Sequence, residues 1–135
     1  MGKMIVGIGH DVTDMGRIAA LLEKKIGGRF MERILTGRER ELSASYAGNR
    51  LIQFVSGRFA AKEAVVKALG CGIGETVGFT DIDILRDELG KPICELSEAA
   101  WSRLALDPER LRLHVTITHD RSIASAVAIA EQVKE

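Results

Sequence analysis

Apolar residues recur along this chain at two periods, and the changes between them mark out its elements. From Met4 to Val12 they run nearly unbroken, which predicts a strand with Ile5, Gly7, Gly9 and Asp11 on one face. The glycines leave room beside Asp11, either for a ligand to come close to the backbone or for a bulge in a buried strand. Met15, Ile18, Leu21, Leu22 and Ile26 then fall at helical spacing, with Arg17, Lys24 and Lys25 off the stripe and Gly27-Gly28 as the stop. Thr36-Gly37-Arg38-Glu39 is a capping-box pattern, which predicts a short helix opening toward Tyr46. Leu51 to Leu69 predicts a long central helix closed by Gly70. Its Ala60, Ala61, Ala64 and Ala68 keep it slim enough for other backbones to approach.

Beyond a Gly-rich connection the period changes. Val77 to Leu85 and Ile93 to Leu96 predict strands joined through a turn at Glu88-Leu89-Gly90-Lys91-Pro92. Ser97 caps a helix through Leu106, with Trp101 in the core. Leu111, Leu113, Val115 and Ile117 alternate with polar residues into a hairpin with Ile123 to Ala130, and His119 and Asp120 sit at the bend. Strands and helices mix without a βαβ rhythm, so the expectation is an α+β fold with a mainly antiparallel sheet packed on the long helix.

Composition narrows the classes. At 135 residues, with no linker or repeat, the chain reads as one domain, 1–135. No apolar run reaches membrane-spanning length and Lys3 precedes only a brief, interrupted one, so the expected address is cytoplasmic, with no membrane partner. Cys71 and Cys94 have no metal-ligand or disulfide spacing and read as idle thiols. A net charge of zero argues against a general nucleic-acid binder. The charge is uneven, however. Arg17, Lys24, Lys25, Arg29, Arg33, Arg38, Arg40 and Arg50 face only Glu23, Glu32, Glu39 and Glu41 in that stretch. Such a region suits an acidic docking partner, or is a solvated helix face.

Two acids carry the candidate chemistry: Asp11 at the end of the first apolar run, and Glu63 on the long helix with Lys67 one turn on. Paired carboxylates can serve a glycosidase, but such sites usually add aromatic platforms for the sugar, and this chain is poor in aromatic residues. They can be structural, with Glu63 and Lys67 forming an i,i+4 ion pair. Or they can hold a divalent metal, with Arg50, Arg58, Lys62 and Lys67 nearby for phosphate. Magnesium takes one or two carboxylates and completes its shell with phosphate oxygens and water. His119 at a strand end is either a structural hydrogen-bonder or a phosphate ligand and proton donor. There is no Walker A loop, dinucleotide fingerprint or Ser-His-Asp set.

These segments resemble a known family. Gly7-Ile8-Gly9-His10-Asp11-Val12 with Arg17-Ile18, and Phe54 through Gly70 with Gly57-Arg58-Phe59-Ala60-Ala61-Lys62-Glu63-Ala64 at its centre, closely resemble the bacterial holo-[acyl-carrier-protein] synthases. Phe30 to Thr36, Gly72-Ile73-Gly74, Gly90-Lys91-Pro92 and Val115 to His119 extend the likeness from about Met4 to Glu131. The resemblance implies a 4'-phosphopantetheinyl transferase-like fold and a trimer with each active site at a subunit interface. The implied reaction moves the phosphopantetheine arm of coenzyme A to a serine of apo acyl carrier protein, in fatty acid biosynthesis, and releases adenosine 3',5'-bisphosphate.

In the family pattern Asp11 and Glu63 hold Mg2+ on the coenzyme pyrophosphate. Lys67, and more weakly Lys62, would contact phosphate; Arg50 the 3'-phosphate; Arg58 another part of the nucleotide; and His119 the coenzyme near its phosphates. Arg17, Lys24, Lys25 and Arg29 would dock the acidic carrier protein. The serine's proton goes to metal-held water or to Glu63, a choice that stays open. His10, Thr116 and Asn49 depart from the usual pattern, and none of them removes a metal ligand. A magnesium-dependent nucleotide pyrophosphohydrolase and a non-catalytic coenzyme A or carrier-protein binding module remain the competing functions.

Overall fold

The structure, a computed structural model, describes residues 4–133. In chain order the elements are β1 (Met4–Asp14), α1 (Met15–Glu23), α2 (Gly27–Ile34), α3 (Gly37–Leu42), α4 (Gly48–Leu69), β2 (Ile82–Arg86), β3 (Pro92–Leu96), α5 (Glu98–Leu104), β4 (Leu111–His119) and β5 (Ile123–Gln132). An antiparallel sheet has the order β1-β5-β4, and β2-β3 form a separate antiparallel pair. The α+β expectation holds.

The 22-residue α4 lies across one face of the larger sheet, and small residues let it lie close. Ala124, Ala126, Ala128 and Ala130 all point inward from β5 and are buried. Gly7 and Gly9 do the same from β1. A methyl group on Gly9 would stand 1.8 Å from the Ala64 carbonyl oxygen, and one on Gly7 equally close to that of Ala68. The space beside Asp11 that the glycines create is therefore filled by α4, not held for a ligand. A register shift between Ile5 and Gly7 turns Ile5 out of the face it was expected to share with Gly7, Gly9 and Asp11. The opposite face of β1, with Ile5, Ile8 and Val12, is exposed.

Two apolar clusters flank α4: one under the sheet, the other built from Ile18, Ile34, Leu35, Phe54 and Val55 against α1 and α2. Three local expectations need correction. α1 ends at Glu23, and Gly27 opens α2 instead of stopping α1, because a side chain there would meet the Leu22 carbonyl oxygen at 2.4 Å. The stretch before β2 is not strand: Phe79–Asp81 is a 3-10 turn, in which Asp81 accepts from the Gly78 amide, Ser97 and Arg103. These side-chain bonds compete with a sheet ladder. α5 is shorter than expected, ending at Leu104 because Ala105 takes a left-handed φ of 55°. The Ser97 cap, the capping box at Thr36 and Glu39, and the left-handed Gly70 that closes α4 all form where the sequence put them.

Candidate active site

β1 and α4 bring Asp11 and Glu63 to one depression of about 290 Å³. Thr13, Asp14 and Arg17 share its rim, and Ile18, Leu21, Phe30 and Phe59 supply apolar walls. Asp11 is held from both sides. Thr13 Oγ1 donates to its Oδ2 at 3.3 Å, and Lys67 Nζ donates to its Oδ1 at 3.2 Å. Lys67 also donates to the His10 carbonyl oxygen at 2.9 Å, so it leans onto the strand, and no i,i+4 ion pair with Glu63 forms among the described residues. Burial pushes the Glu63 carboxyl up, the Asp11 charge adds to that, and Lys67 only partly offsets them. Two hard-oxygen donors that repel one another beside a cation are a suitable donor set for a magnesium ion bound together with phosphate. No group of three or more His, Cys, Asp or Glu suited to a metal exists among the described residues, so protein ligands alone would not fill an ion's shell.

Lys62 is not part of this surface. Its ammonium is fully buried and donates to Glu39 Oε1 at 2.6 Å, the Ile34 carbonyl oxygen at 2.6 Å and the Phe79 carbonyl oxygen at 3.1 Å. Burial pulls its pKa down, with Glu39 opposing. All three protons of the ammonium have acceptors, so none remains for phosphate. Glu39 is equally committed: Ile84 N donates to it at 2.7 Å and Thr36 N at 2.9 Å. The pair binds α2, α3 and β2 to α4 and is structural.

Arg50, Arg58 and His119 meet elsewhere, in a second depression of about 300 Å³ that they share with Tyr46, Phe54, Arg86 and Pro92. On α4, Arg58 and Glu63 are separated by about 140° around the axis, which puts the two depressions on different sides of the helix. Arg58 is buried over the Phe54 ring and donates from Nε to the Ile84 carbonyl oxygen at 3.1 Å. Tyr46 and Arg86 were missed in the sequence. A lone tyrosine after a short helix and an arginine closing a strand carry no pattern that marks them. Of the expected docking cations, Arg17 reaches the acidic depression, while Lys24, Lys25 and Arg29 are exposed around the end of α1 and the start of α2. No helix among the described residues is long and apolar enough to cross a membrane.

Known proteins match both fold and sequence. The profile of the 4'-phosphopantetheinyl transferase superfamily covers residues 7–127. A holo-[acyl-carrier-protein] synthase of Bacillus mycoides is 44% identical over 128 residues, 95% of this chain and 97% of that protein. The crystal structure of the Bacillus anthracis holo-(acyl-carrier-protein) synthase in complex with CoA (3',5'-ADP) superposes with a TM-score of 0.81 at 42% identity, covering 96% of this chain and 98% of its own. That of the Neisseria meningitidis synthase also gives 0.81, at 36% identity over 94% and 98%. Fold and sequence together define an enzyme of the phosphopantetheinyl transferase class. The chain belongs to the 4'-phosphopantetheinyl transferase superfamily, and within it to the holo-[acyl-carrier-protein] synthases.

Proposed function

We propose that this protein transfers the 4'-phosphopantetheine group of coenzyme A to a serine of apo acyl carrier protein, with Mg2+ held by Asp11 and Glu63, and releases adenosine 3',5'-bisphosphate. The observation that carries the reading is the mutually repelling Asp11–Glu63 pair with Lys67 against it, in a depression walled by apolar residues. When bound, the ion would polarise the phosphoryl oxygens and neutralise charge on the departing phosphate. Lys67, half exposed and anchored to β1, supplies a fixed positive charge for the transferring phosphoryl group. Phosphoryl transfer asks mainly for positioning and charge stabilisation, which these residues provide. The apolar wall of Ile18, Leu21, Phe30 and Phe59 offers a seat for an apolar side chain beside the target serine. Arg17, Lys24, Lys25 and Arg29 form the surface that receives an acidic carrier.

Coenzyme A carries a pyrophosphate and a 3'-phosphate, while the two depressions of one chain lie on different sides of α4. Two copies complete one site when the cations of one face the acids of the next. Such a contact is heterologous and forms a ring where its rotation closes, and the family resemblance makes that ring a homotrimer. The exposed Ile5, Ile8 and Val12 on the uncovered sheet face supply apolar area for that contact. Free Cys71 and Cys94 fit a cytoplasmic address.

The experiment mixes two inactive variants, Glu63→Gln and Arg50→Glu, after unfolding and refolding them together. With random assortment around a ring, about a quarter of the sites pair an intact acid with an intact cation, so activity returns to about that fraction. A mixture no more active than its components would place both halves of the site in one chain.

A further inference from the structure

We propose that Thr13 is a positioning residue for Asp11, and that by holding this carboxylate still it sets the preference of the site for magnesium over calcium. The inference rests on the reading above, in which Asp11 and Glu63 hold the metal.

The strand brings Thr13 to the depression for a local reason. Side chains two apart on a strand share a face, so Thr13 stands beside Asp11 on the face turned toward α4. Its backbone is fixed on both sides. It pairs with Ala124 of β5, and two residues on Met15 N donates to the Ser122 carbonyl oxygen at 2.8 Å. Thr13 is only 6% exposed. A buried β-branched side chain has little freedom at χ1, so its hydroxyl is aimed in one direction. That hydroxyl has one proton to give, and Asp11 Oδ2 receives it at 3.3 Å.

The other groups near Asp11 cannot take this part. Lys67 donates to Oδ1 at 3.2 Å, but it is half exposed on a flexible stem and shares its protons with the His10 carbonyl oxygen at 2.9 Å. In the proposed reaction it also serves the transferring phosphoryl group. Asp14, a third acid on the rim, commits Oδ1 to the Gly16 amide at 2.8 Å and so caps α1. Thr13 is therefore the one donor, among the described residues, given to Asp11 alone. It is also neutral, so it restrains the carboxylate without repelling a cation. With Lys67 on one oxygen and Thr13 on the other, the group cannot turn about its Cβ–Cγ bond without losing a hydrogen bond.

That restraint discriminates between ions. Magnesium demands near-ideal octahedral geometry and uses few carboxylates, while calcium accepts more oxygens in variable arrangements. A carboxylate fixed in one orientation serves the ion with strict demands and gives no advantage to the tolerant one. Without the Thr13 hydroxyl, Oδ2 is released and the carboxylate turns more freely, which costs magnesium most.

The test follows thermal unfolding of the wild type, Thr13→Val and Thr13→Ser in magnesium chloride alone and in calcium chloride alone. The rise in Tm with ion concentration reads affinity for the folded protein without any turnover. Thr13→Val keeps the shape and removes the hydroxyl. Its magnesium affinity should fall by about 10- to 100-fold, the usual loss when a group that orients a metal ligand is removed. Its calcium affinity should fall by no more than about threefold, because calcium tolerates a mobile carboxylate. Thr13→Ser should restore the wild-type preference. Thr13→Ala should lose it as Thr13→Val does, so the ratio of the two affinities separates the orientation of Asp11 from packing. In transfer assays Thr13→Val should need correspondingly more magnesium, approach the wild-type kcat once saturated, and be inhibited at lower calcium.

Equal losses for both ions in Thr13→Val, an undiminished magnesium affinity, or a Thr13→Ser as unselective as Thr13→Val would each overturn the role of Thr13 and leave the metal reading standing. A wild type whose Tm ignores both ions would overturn that reading and the inference with it.

Discussion

Replacing Gly9 by alanine adds one methyl group at the point where β1 rests on α4. The new carbon would stand 1.8 Å from the Ala64 carbonyl oxygen and 2.8 Å from the Ala68 nitrogen, both backbone atoms that cannot swing aside. Restoring an ordinary carbon–oxygen separation of about 3.3 Å requires the strand and helix to part by roughly 1.5 Å. Overpacking costs about 1–3 kcal/mol where side chains can yield, and a backbone-on-backbone clash belongs at or above the upper end. The displacement falls between residues that carry the site, since Asp11 lies two positions from Gly9 and Glu63 adjoins Ala64. A misplacement of about 1 Å is enough to reduce a rate by about 10²-fold. Gly9→Ala should therefore lose about 3 kcal/mol of stability in urea unfolding, and its folded fraction should transfer at least about 100-fold more slowly, with weaker magnesium binding.

The control is the same chemical change where nothing stands in the way. A methyl on Gly28 meets no atom within 4 Å, and its φ is not left-handed. Gly28→Ala should gain about 0.4–1 kcal/mol by restricting the unfolded chain. If Gly9→Ala matched the wild type in both stability and magnesium affinity, the close β1–α4 packing would not be what sets the spacing of the acids.

Other outcomes follow from the same geometry. Lys62→Met should cost about 3–5 kcal/mol by leaving Glu39 buried without its cation. Lys67→Met should leave unfolding within about 1 kcal/mol of wild type yet slow transfer sharply; paired denaturation and rate measurements separate the two lysines. Because the folded Glu63 carboxyl holds its proton more tightly than the unfolded one, metal-free stability should fall as pH rises from about 4.3 through the raised value. Glu63→Gln should be flat across that window, and magnesium above it should raise Tm in the wild type only, as thermal scans would show. Carrier-protein affinity should drop between low salt and 0.1 M or more, where exposed charges are screened beyond about 10 Å, and Arg17→Glu should weaken it further in a direct binding titration.

What the sequence could reveal depended on how local the cause was. The helical stripe of α4, its left-handed Gly70, the Thr36–Glu39 box and the inward face of β1 from Gly7 onward are all governed by neighbours within a few residues, and all were legible. The purpose of the glycines was not, because the atoms they accommodate, Leu22 for Gly27 and Ala64 for Gly9, are set by packing. The same limit misplaced Lys62. Its position beside Glu63 suggested phosphate, whereas its partner lies 23 residues back on α3 and consumes its charge in the interior. Asp11, Glu63 and Lys67 were legible as residue types at suggestive spacing, and the structure brings them together. That Arg50, Arg58 and His119 gather in a different depression, around Tyr46 and Arg86, needed the fold.

A metal-dependent transfer that uses Asp11 and Glu63 changes the mass of the carrier protein, which makes that mass the deciding measurement. Apo acyl carrier protein would be incubated with this protein, coenzyme A and magnesium and then weighed intact. The carrier should gain the mass of one phosphopantetheine group while adenosine 3',5'-bisphosphate appears in equal amount. Both products should vanish with EDTA and with Glu63→Gln. Coenzyme A cleaved with the carrier mass unchanged would point to a pyrophosphohydrolase, coenzyme bound but intact to a binding module, and either result would rule out the transferase.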